Sequence, residues 1–248
     1  RMGLDPRDIV AIFHSHGHFD HYGCTIEFKE LSGAKTYISR IDNEIVNGNL
    51  KHLSAEREPL QNFDCDVLIE DGDVFSFGST KIRCRLTPGH TPGLVGLYDR
   101  EHKIYFCGDH ILGTITPNIT IEISAENPLA DYLKSLDKVE KLDVEKLLTS
   151  HGTPVPDMYE RINELKKHHE DRLAEVEKIL GDEWKTAYEC ARDMTWEIEA
   201  RNWDEFPAPQ KWFATGYAIS HLQYLYFTGK VAREEQNGVY HYRNLKAD

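Results

Sequence analysis

The chain has 248 residues, of which 40% are hydrophobic and 29% are charged, and its formal net charge is −13. This length and composition predict a globular protein with one sizeable core and a small second domain, and no apolar run approaches the roughly 20 residues that a membrane helix needs. The acidic balance argues against nucleic acid as a partner, without excluding it, because phosphate contacts need clustered Lys and Arg. The five cysteines include no CxxC pair and no secretory signal is visible, so we expect free thiols and a cytoplasmic location.

Short apolar runs alternate with turns and helical patterns over residues 1–155, which predicts an α/β domain. Residues 80–86 alternate polar and apolar side chains as a half-buried strand does, and residues 128–142 repeat apolar side chains at helical spacing. The predicted strands cover residues 9–13, 34–39, 67–69, 74–78, 80–86, 95–98, 103–107 and 146–150.

Residues 156–248 show a different pattern, in which long helices precede a hairpin. Helices are predicted over residues 157–180, 186–194 and 209–228, and strands over residues 230–235 and 239–243. The Asn237-Gly238 pair between those strands is typical of a tight hairpin turn. We therefore expect a second, winged-helix-like domain over residues 156–248, with the first domain ending at residue 155.

The last predicted helix carries few positive charges. Lys211 is its one Lys or Arg, which is too little charge for tracking phosphates. We expect this domain to pack on the first, to wall a pocket or to mediate a homodimer. Its large aromatic residues are expected in the core or at an interface rather than against substrate: Trp212, Phe213, Tyr217 and Tyr224.

The main chemical signal follows the first predicted strand, where four histidines and an aspartate lie within residues 14–21. Imidazole nitrogens and carboxylate oxygens are ligands for zinc. In an extended segment His16 and His18 point the same way and can hold one ion, while Asp20 and His21, around the following turn, can reach a second. A solvated loop or an expression tag is the alternative, but a tag would be a homopolymer at a terminus.

Four motifs in order resemble the metallo-β-lactamase superfamily over residues 1 to about 155. They are the HxHxDH signature at residues 16–21, the TPGHTPG loop at 87–93, the Gly-Asp pair at 108–109 and the His-Gly pair at 151–152. The resemblance implies an αββα sandwich. The superfamily has several strands before the His-rich loop, whereas this sequence begins about 13 residues before it, so we expect the first strands to lie outside the residues given.

The resemblance also implies a ligand set for two metal ions. His16, His18 and His90 would bind the first ion, and Asp20, His21 and His151 the second, with Asp109 bridging them. Zinc is the expected metal, although the same ligands accept iron or manganese. Asp20 would in addition orient the nucleophile and carry a proton. His14 has no counterpart in the signature, and we expect it to support a ligand rather than to be one.

The branch of the superfamily sets the expected substrate. His18 stands where flavodiiron oxygen reductases have Glu, which argues against redox chemistry. The TPGHTPG loop and residues 108–112 resemble hydroxyacylglutathione hydrolases, which cleave thioesters, while residues 203–213 resemble the tail of lactamase-β-like proteins.

We therefore predict a dinuclear zinc hydrolase acting on a small thioester or ester of the acyl-CoA or glutathione type, with residues 115–120 lining the pocket. The alternative is a metal-dependent endoribonuclease or phosphodiesterase. A non-catalytic metal protein is a third reading, which the complete ligand set argues against.

Overall fold

The computed structural model describes residues 3, 5–47, 63–120 and 126–245, and its first part contains two sheets. The first sheet is parallel and has the order β1-β2-β3. The second has the order β4-β5-β6-β7-β8 and is antiparallel except for the pair β7 and β8. The strands are β1 (Ala11–Phe13), β2 (Lys35–Ser39), β3 (Val67–Ile69), β4 (Val74–Phe77), β5 (Thr80–Leu86), β6 (Val95–Asp99), β7 (Ile104–Gly108) and β8 (Lys146–Thr149).

The two sheets pack face to face through apolar side chains. Phe13 of β1 stacks on Tyr37 of β2 with ring centroids 4.3 Å apart. Phe13 also makes an edge-to-face contact with Phe75 of β4, with ring centroids 5.4 Å apart. Ile69, Cys84 and Val95 are buried in the same cluster. Because both inner faces are apolar, this interface excludes water and fixes the relative position of the strand ends.

Helices cover the outer faces of both sheets, which gives the predicted αββα arrangement. Three short helices, α1 (Phe19–Tyr22), α2 (Thr25–Ser32) and α3 (Arg40–Val46), accompany the first sheet, where Tyr22 and Val46 pack with Ile38. On the other side α4 (Pro128–Val139) begins at the N-cap Asn127, whose side chain accepts a hydrogen bond from the Ala130 amide. Its buried face packs on the second sheet through Leu129, Tyr132, Leu136 and Val139.

The remaining elements form a helical part with a small sheet of order β10-β11-β9. They are α5 (Met158–Leu180), β9 (Lys185–Thr186), α6 (Ala187–Asp193), α7 (Ala208–Phe227), β10 (Val231–Gln236) and β11 (Val239–Asn244). The hairpin turn places Asn237 and Gly238 at φ 53° and 79°, as the sequence predicted for a tight turn. None of the described helices is long and apolar enough to cross a bilayer, and all five cysteines are free.

Helix α5 belongs to both parts of the molecule. Its first half buries Ile162 and Leu165 in the core of the second sheet, and its second half buries Val176 and Leu180 among α6 and α7. One helix thus connects two apolar clusters. The boundary at residue 156 and the winged-helix character stay predictions.

The large aromatic residues of α7 divide into two pairs. Tyr217 is buried and Tyr224 packs at the edge of the core, as expected. Trp212 and Phe213 are instead 39% and 44% exposed and stack edge to face, so they lie outside the core.

Candidate metal centre

The seven residues predicted as ligands come from loops that follow four strands. His16 and His18 follow β1, and His18 is the N-cap of α1, which carries Asp20 and His21. His90 lies in the loop after β5, Asp109 directly follows β7, and His151 follows β8. The structure brings all seven side chains together at this edge of the sandwich.

The first site consists of His16, His18 and His90. The His16 Nε2 and His18 Nδ1 atoms are 2.9 Å apart. The ring centroid of His90 lies 4.9 Å from that of His16 and 4.7 Å from that of His18. One ring nitrogen from each of the three lies within 4.8 Å of the others. Three such donors around one point can hold a tetrahedral cation.

The second site consists of Asp20, His21 and His151. The Nε2 atoms of His21 and His151 are 3.1 Å apart, and the Asp20 Oδ2 atom lies 3.1 Å from His151 Nε2 and 3.4 Å from His21 Nε2. The side chain of Asp20 is 59% exposed, so this site opens to solvent on the side of that carboxylate.

Asp109 lies between the two sites. Its Oδ2 atom is 3.5 Å from His90 Nε2, 3.6 Å from His21 Nε2 and 3.6 Å from His151 Nε2. His90 belongs to the first site and the other two histidines to the second. This is the position that a bridging carboxylate requires.

The donor atoms fit a pair of divalent cations. His90 Nδ1 donates to the Asn118 carbonyl oxygen at 2.8 Å, which leaves the Nε2 lone pair facing the centre. This Nε2 atom and the Asp109 Oδ1 atom are among the buried polar atoms of the described residues that have no hydrogen-bond partner. Buried acceptors without a donor are costly, and a cation at each site would satisfy them.

The protonation states also suit metal binding. Burial, aided by the neighbouring imidazoles of His90 and His18, holds the pKa of His16 well below 6.5, and burial lowers the pKa of His90. Burial opposes ionisation of Asp109, but the adjacent His21 and other imidazoles outweigh it and lower the pKa of that carboxyl. These shifts favour neutral imidazoles at His16 and His90 and an ionised carboxylate at Asp109, which are the forms that bind metal.

Two residues outside the ligand set support it. The Ser15 hydroxyl lies 3.0 Å from His16 Nδ1 and helps to orient that ring. His14 is buried, with Nδ1 3.3 Å from the His21 carbonyl oxygen and Nε2 3.3 Å from the Thr25 hydroxyl. His14 thus braces the loop that carries the ligands, as the sequence suggested.

One partner in the centre was missed by sequence reasoning. Asn118 acts through its backbone carbonyl, and any residue can offer that group, so no side-chain signal marks the position. Residues 115–120 were expected to line the pocket. This is wrong for Ile119, which is fully buried in the core, and it stays a prediction for the others, of which Ile115 is 52% exposed.

Comparison with curated proteins finds relatives among hydrolases. The chain is 30% identical over 166 residues to the acyl-coenzyme A thioesterase MBLAC2 of Gallus gallus, covering 60% of this chain and 58% of the relative. It is 36% identical over 101 residues to a hydroxyacylglutathione hydrolase of Maricaulis maris, covering 41% of this chain and 33% of the relative. The chain spans about half the length of the first curated relatives it matches.

Solved structures share the whole fold. A metallo-beta-lactamase family protein of Thermus thermophilus superposes with a TM-score of 0.80 at 26% identity, covering 98% of this chain and 82% of that chain. A beta-lactamase domain protein of Burkholderia ambifaria gives 0.81 at 24% identity, covering 95% and 75%. A family model described as "Metallo-beta-lactamase-like, C-terminal domain" matches residues 173–245. The model of the "Metallo-beta-lactamase superfamily" matches residues 1–151, more than half of the chain, and the chain belongs to that superfamily.

Proposed function

We propose that the protein is a dinuclear zinc hydrolase that cleaves a small thioester or similar ester of the acyl-CoA or glutathione type. The observation that carries the proposal is the convergence of seven donor side chains around two points, with Asp109 between them. The named relatives support the substrate class, because an acyl-CoA thioesterase and a hydroxyacylglutathione hydrolase both act on thioesters.

The residues of the centre have two proposed roles, which are metal binding and proton transfer. Two bound divalent cations would supply the means to activate water at neutral pH and to polarise a carbonyl. The six side chains of the two sites would hold them, and the Asp109 carboxylate would balance part of their charge. Asp20 is the exposed carboxylate of the centre, 3.1 Å from His151, and we assign to it the orientation of water and the acceptance of its proton.

Charge favours a small molecule over RNA as the substrate. The chain carries 42 Asp and Glu against 29 Lys and Arg. An RNA substrate must bring several phosphates close to the protein, and affinity for it rests on positive charge that neutralises them. Nuclease or phosphodiesterase activity is therefore the alternative that the substrate panel distinguishes.

The test combines metal analysis with a substrate panel. The purified protein is expected to contain about two zinc ions per chain and to hydrolyse acyl-CoA or hydroxyacylglutathione thioesters rather than lactones, bis(p-nitrophenyl) phosphate or RNA. Activity only on the last two substrates would reject the thioester assignment. A different metal, iron or manganese, would correct the cofactor alone.

A variant pair tests the ligand assignment itself. Asp109→Ala is expected to lower the rate by at least about 100-fold and to reduce bound metal, because both sites lose a donor. Asp182→Ala is the matched control, since that carboxylate is exposed in the turn after α5. Full metal content and full activity in Asp109→Ala would refute the metal centre.

A further inference from the structure

Asp42 is a buried carboxylate near the first site and is not one of the residues that could hold a metal there. Asp42 lies in the first turn of α3 and is 0% exposed. Its Oδ2 atom accepts a hydrogen bond from the Gly17 amide at 2.7 Å and another from the Thr91 hydroxyl at 2.7 Å.

Those two donors sit in the loops that carry the first site. Gly17 separates His16 from His18, and Thr91 directly follows His90. One carboxylate oxygen therefore joins the loop after β1 to the loop after β5, which are distant in sequence. The ligands of the second site come from α1 and the loop after β8, and neither of those segments supplies these two hydrogen bonds.

The carboxylate is itself held in place. The Ser39 hydroxyl caps α3 by accepting a hydrogen bond from the Asp42 amide at 3.2 Å, and Ser39 ends β2 in the middle of the first sheet. A Cβ at Gly93 would collide with Asp42 Oδ1 and with the Ser39 hydroxyl. Gly93 is thus required because the backbone of the His90 loop approaches this carboxylate closely.

We propose that Asp42 is a positioning residue for the first site, which fixes both loops and raises the affinity of that site for zinc. Loops held before binding lose less conformational entropy when the cation arrives. Groups that orient metal ligands contribute about 10–100-fold to metal affinity, and we expect a loss of that size without Asp42. This inference rests on the proposed dinuclear centre.

The test measures zinc affinity separately at each site, in full-length protein stripped of metal. A His151→Ala background weakens the second site and reports on the first, while a His16→Ala background does the reverse. Asp42→Ala is expected to weaken zinc binding by about 10–100-fold in the first background and to leave it unchanged within about twofold in the second. Competition with a chromogenic chelator gives both constants without reference to activity.

Asp66→Ala is the matched control. The Asp66 Oδ2 atom also accepts one amide and one hydroxyl hydrogen bond, both from Thr36, but it lies in the loop before β3. Asp66→Ala is expected to lower the free energy of unfolding without changing either zinc constant. This separates a general loss of stability from a specific loss of positioning.

A second pair covers the case in which Asp42→Ala does not fold. Thr91→Val removes one of the two hydrogen bonds and Thr91→Ser restores it, so Val is expected to weaken the first site and Ser to recover wild-type affinity. Unchanged zinc affinity in Asp42→Ala or Thr91→Val, or an equal loss at both sites, would overturn the proposal. A wild-type protein that binds no zinc, iron or manganese would instead refute the proposed function, at the first measurement.

Discussion

Replacing Gly89 with Ala tests how tightly the loop of His90 packs on helix α4. Gly89 has φ 145°, and a Cβ there would lie 2.5 Å from Tyr132 Cβ and 2.7 Å from Tyr132 Cα. Real Cβ atoms essentially never approach so closely, and the atoms that obstruct it include helix backbone. Tyr132 cannot easily turn aside, because it is fully buried and its hydroxyl donates to the His110 carbonyl at 3.0 Å.

The expected loss has two parts. Forcing an extra carbon into a packed site costs about 1–3 kcal/mol, and holding a side chain at this φ costs about 1–3 kcal/mol more. We therefore expect the free energy of unfolding to fall by about 2–6 kcal/mol, a large share of the stability of an ordinary domain. The displaced loop should also lower the zinc content of the first site, since His90 lies one residue further along.

Urea denaturation of the metal-free protein, followed by circular dichroism, measures this loss. Gly33→Ala is the control: its φ of 70° is also unfavourable for a side chain, but no atom lies within 4 Å of its added Cβ. The control variant is expected to lose only the backbone contribution, about 1–2 kcal/mol. If Gly89→Ala loses no more than Gly33→Ala, the close approach of loop and helix is wrong.

Two further predictions concern α7. Burial, with the positive charge of Arg172 and the ring of His168 nearby, lowers the pKa of His221 to about 3, so folding favours the neutral ring. The stability that neutral His221 contributes is therefore lost as the pH falls from about 6.5 toward 3. His221→Gln is expected to flatten the fall of unfolding free energy over that range by up to about 1.4 kcal/mol per pH unit, and an identical slope in urea titrations would contradict this. Ser220→Ala removes a buried hydroxyl 2.7 Å from the Ile119 carbonyl and is expected to lower the free energy of unfolding by about 1–3 kcal/mol. The control Thr228→Ala removes an exposed hydroxyl and is expected to lower it by under about 0.5 kcal/mol. Equal losses in denaturation would argue against a structural role for the contact between Ser220 and Ile119.

Short local motifs in the sequence suggested the ligand candidates, and their assignment stays a prediction. The His and Asp residues within 16–21 indicate metal ligands from their chemistry and spacing, whereas His90, Asp109 and His151 were assigned through the resemblance to the superfamily. The strands were found for a related reason, since alternation and apolar runs are local. Helix α4 was predicted three residues too long, because its apolar pattern continues to Leu142 whereas the helix ends at Val139, followed by a turn.

What the sequence did not show depends on contacts between distant segments. Asp42 reads as an ordinary acidic residue in the first turn of a helix, and its role appears only when Gly17 and Thr91 are seen to converge on it. The helices α2 and α3 were not assigned for a similar reason. Their sequences are largely polar, and they are stabilised by packing on the first sheet more than by their own pattern.

Helix α7 connects the C-terminal part of the chain to the metal centre through one short loop. The Ser220 hydroxyl lies 2.7 Å from the Ile119 carbonyl, and Asn118, the preceding residue, accepts the hydrogen bond that orients His90. A Cβ at Gly216, one turn earlier in α7, would meet the Thr120 side chain at 3.1 Å, so helix and loop are in close contact. Because the partner of one imidazole nitrogen determines which nitrogen is free to bind a metal, we expect a shift of α7 to reach the proposed first site through this loop. Helix α7 therefore supports the loop that orients His90.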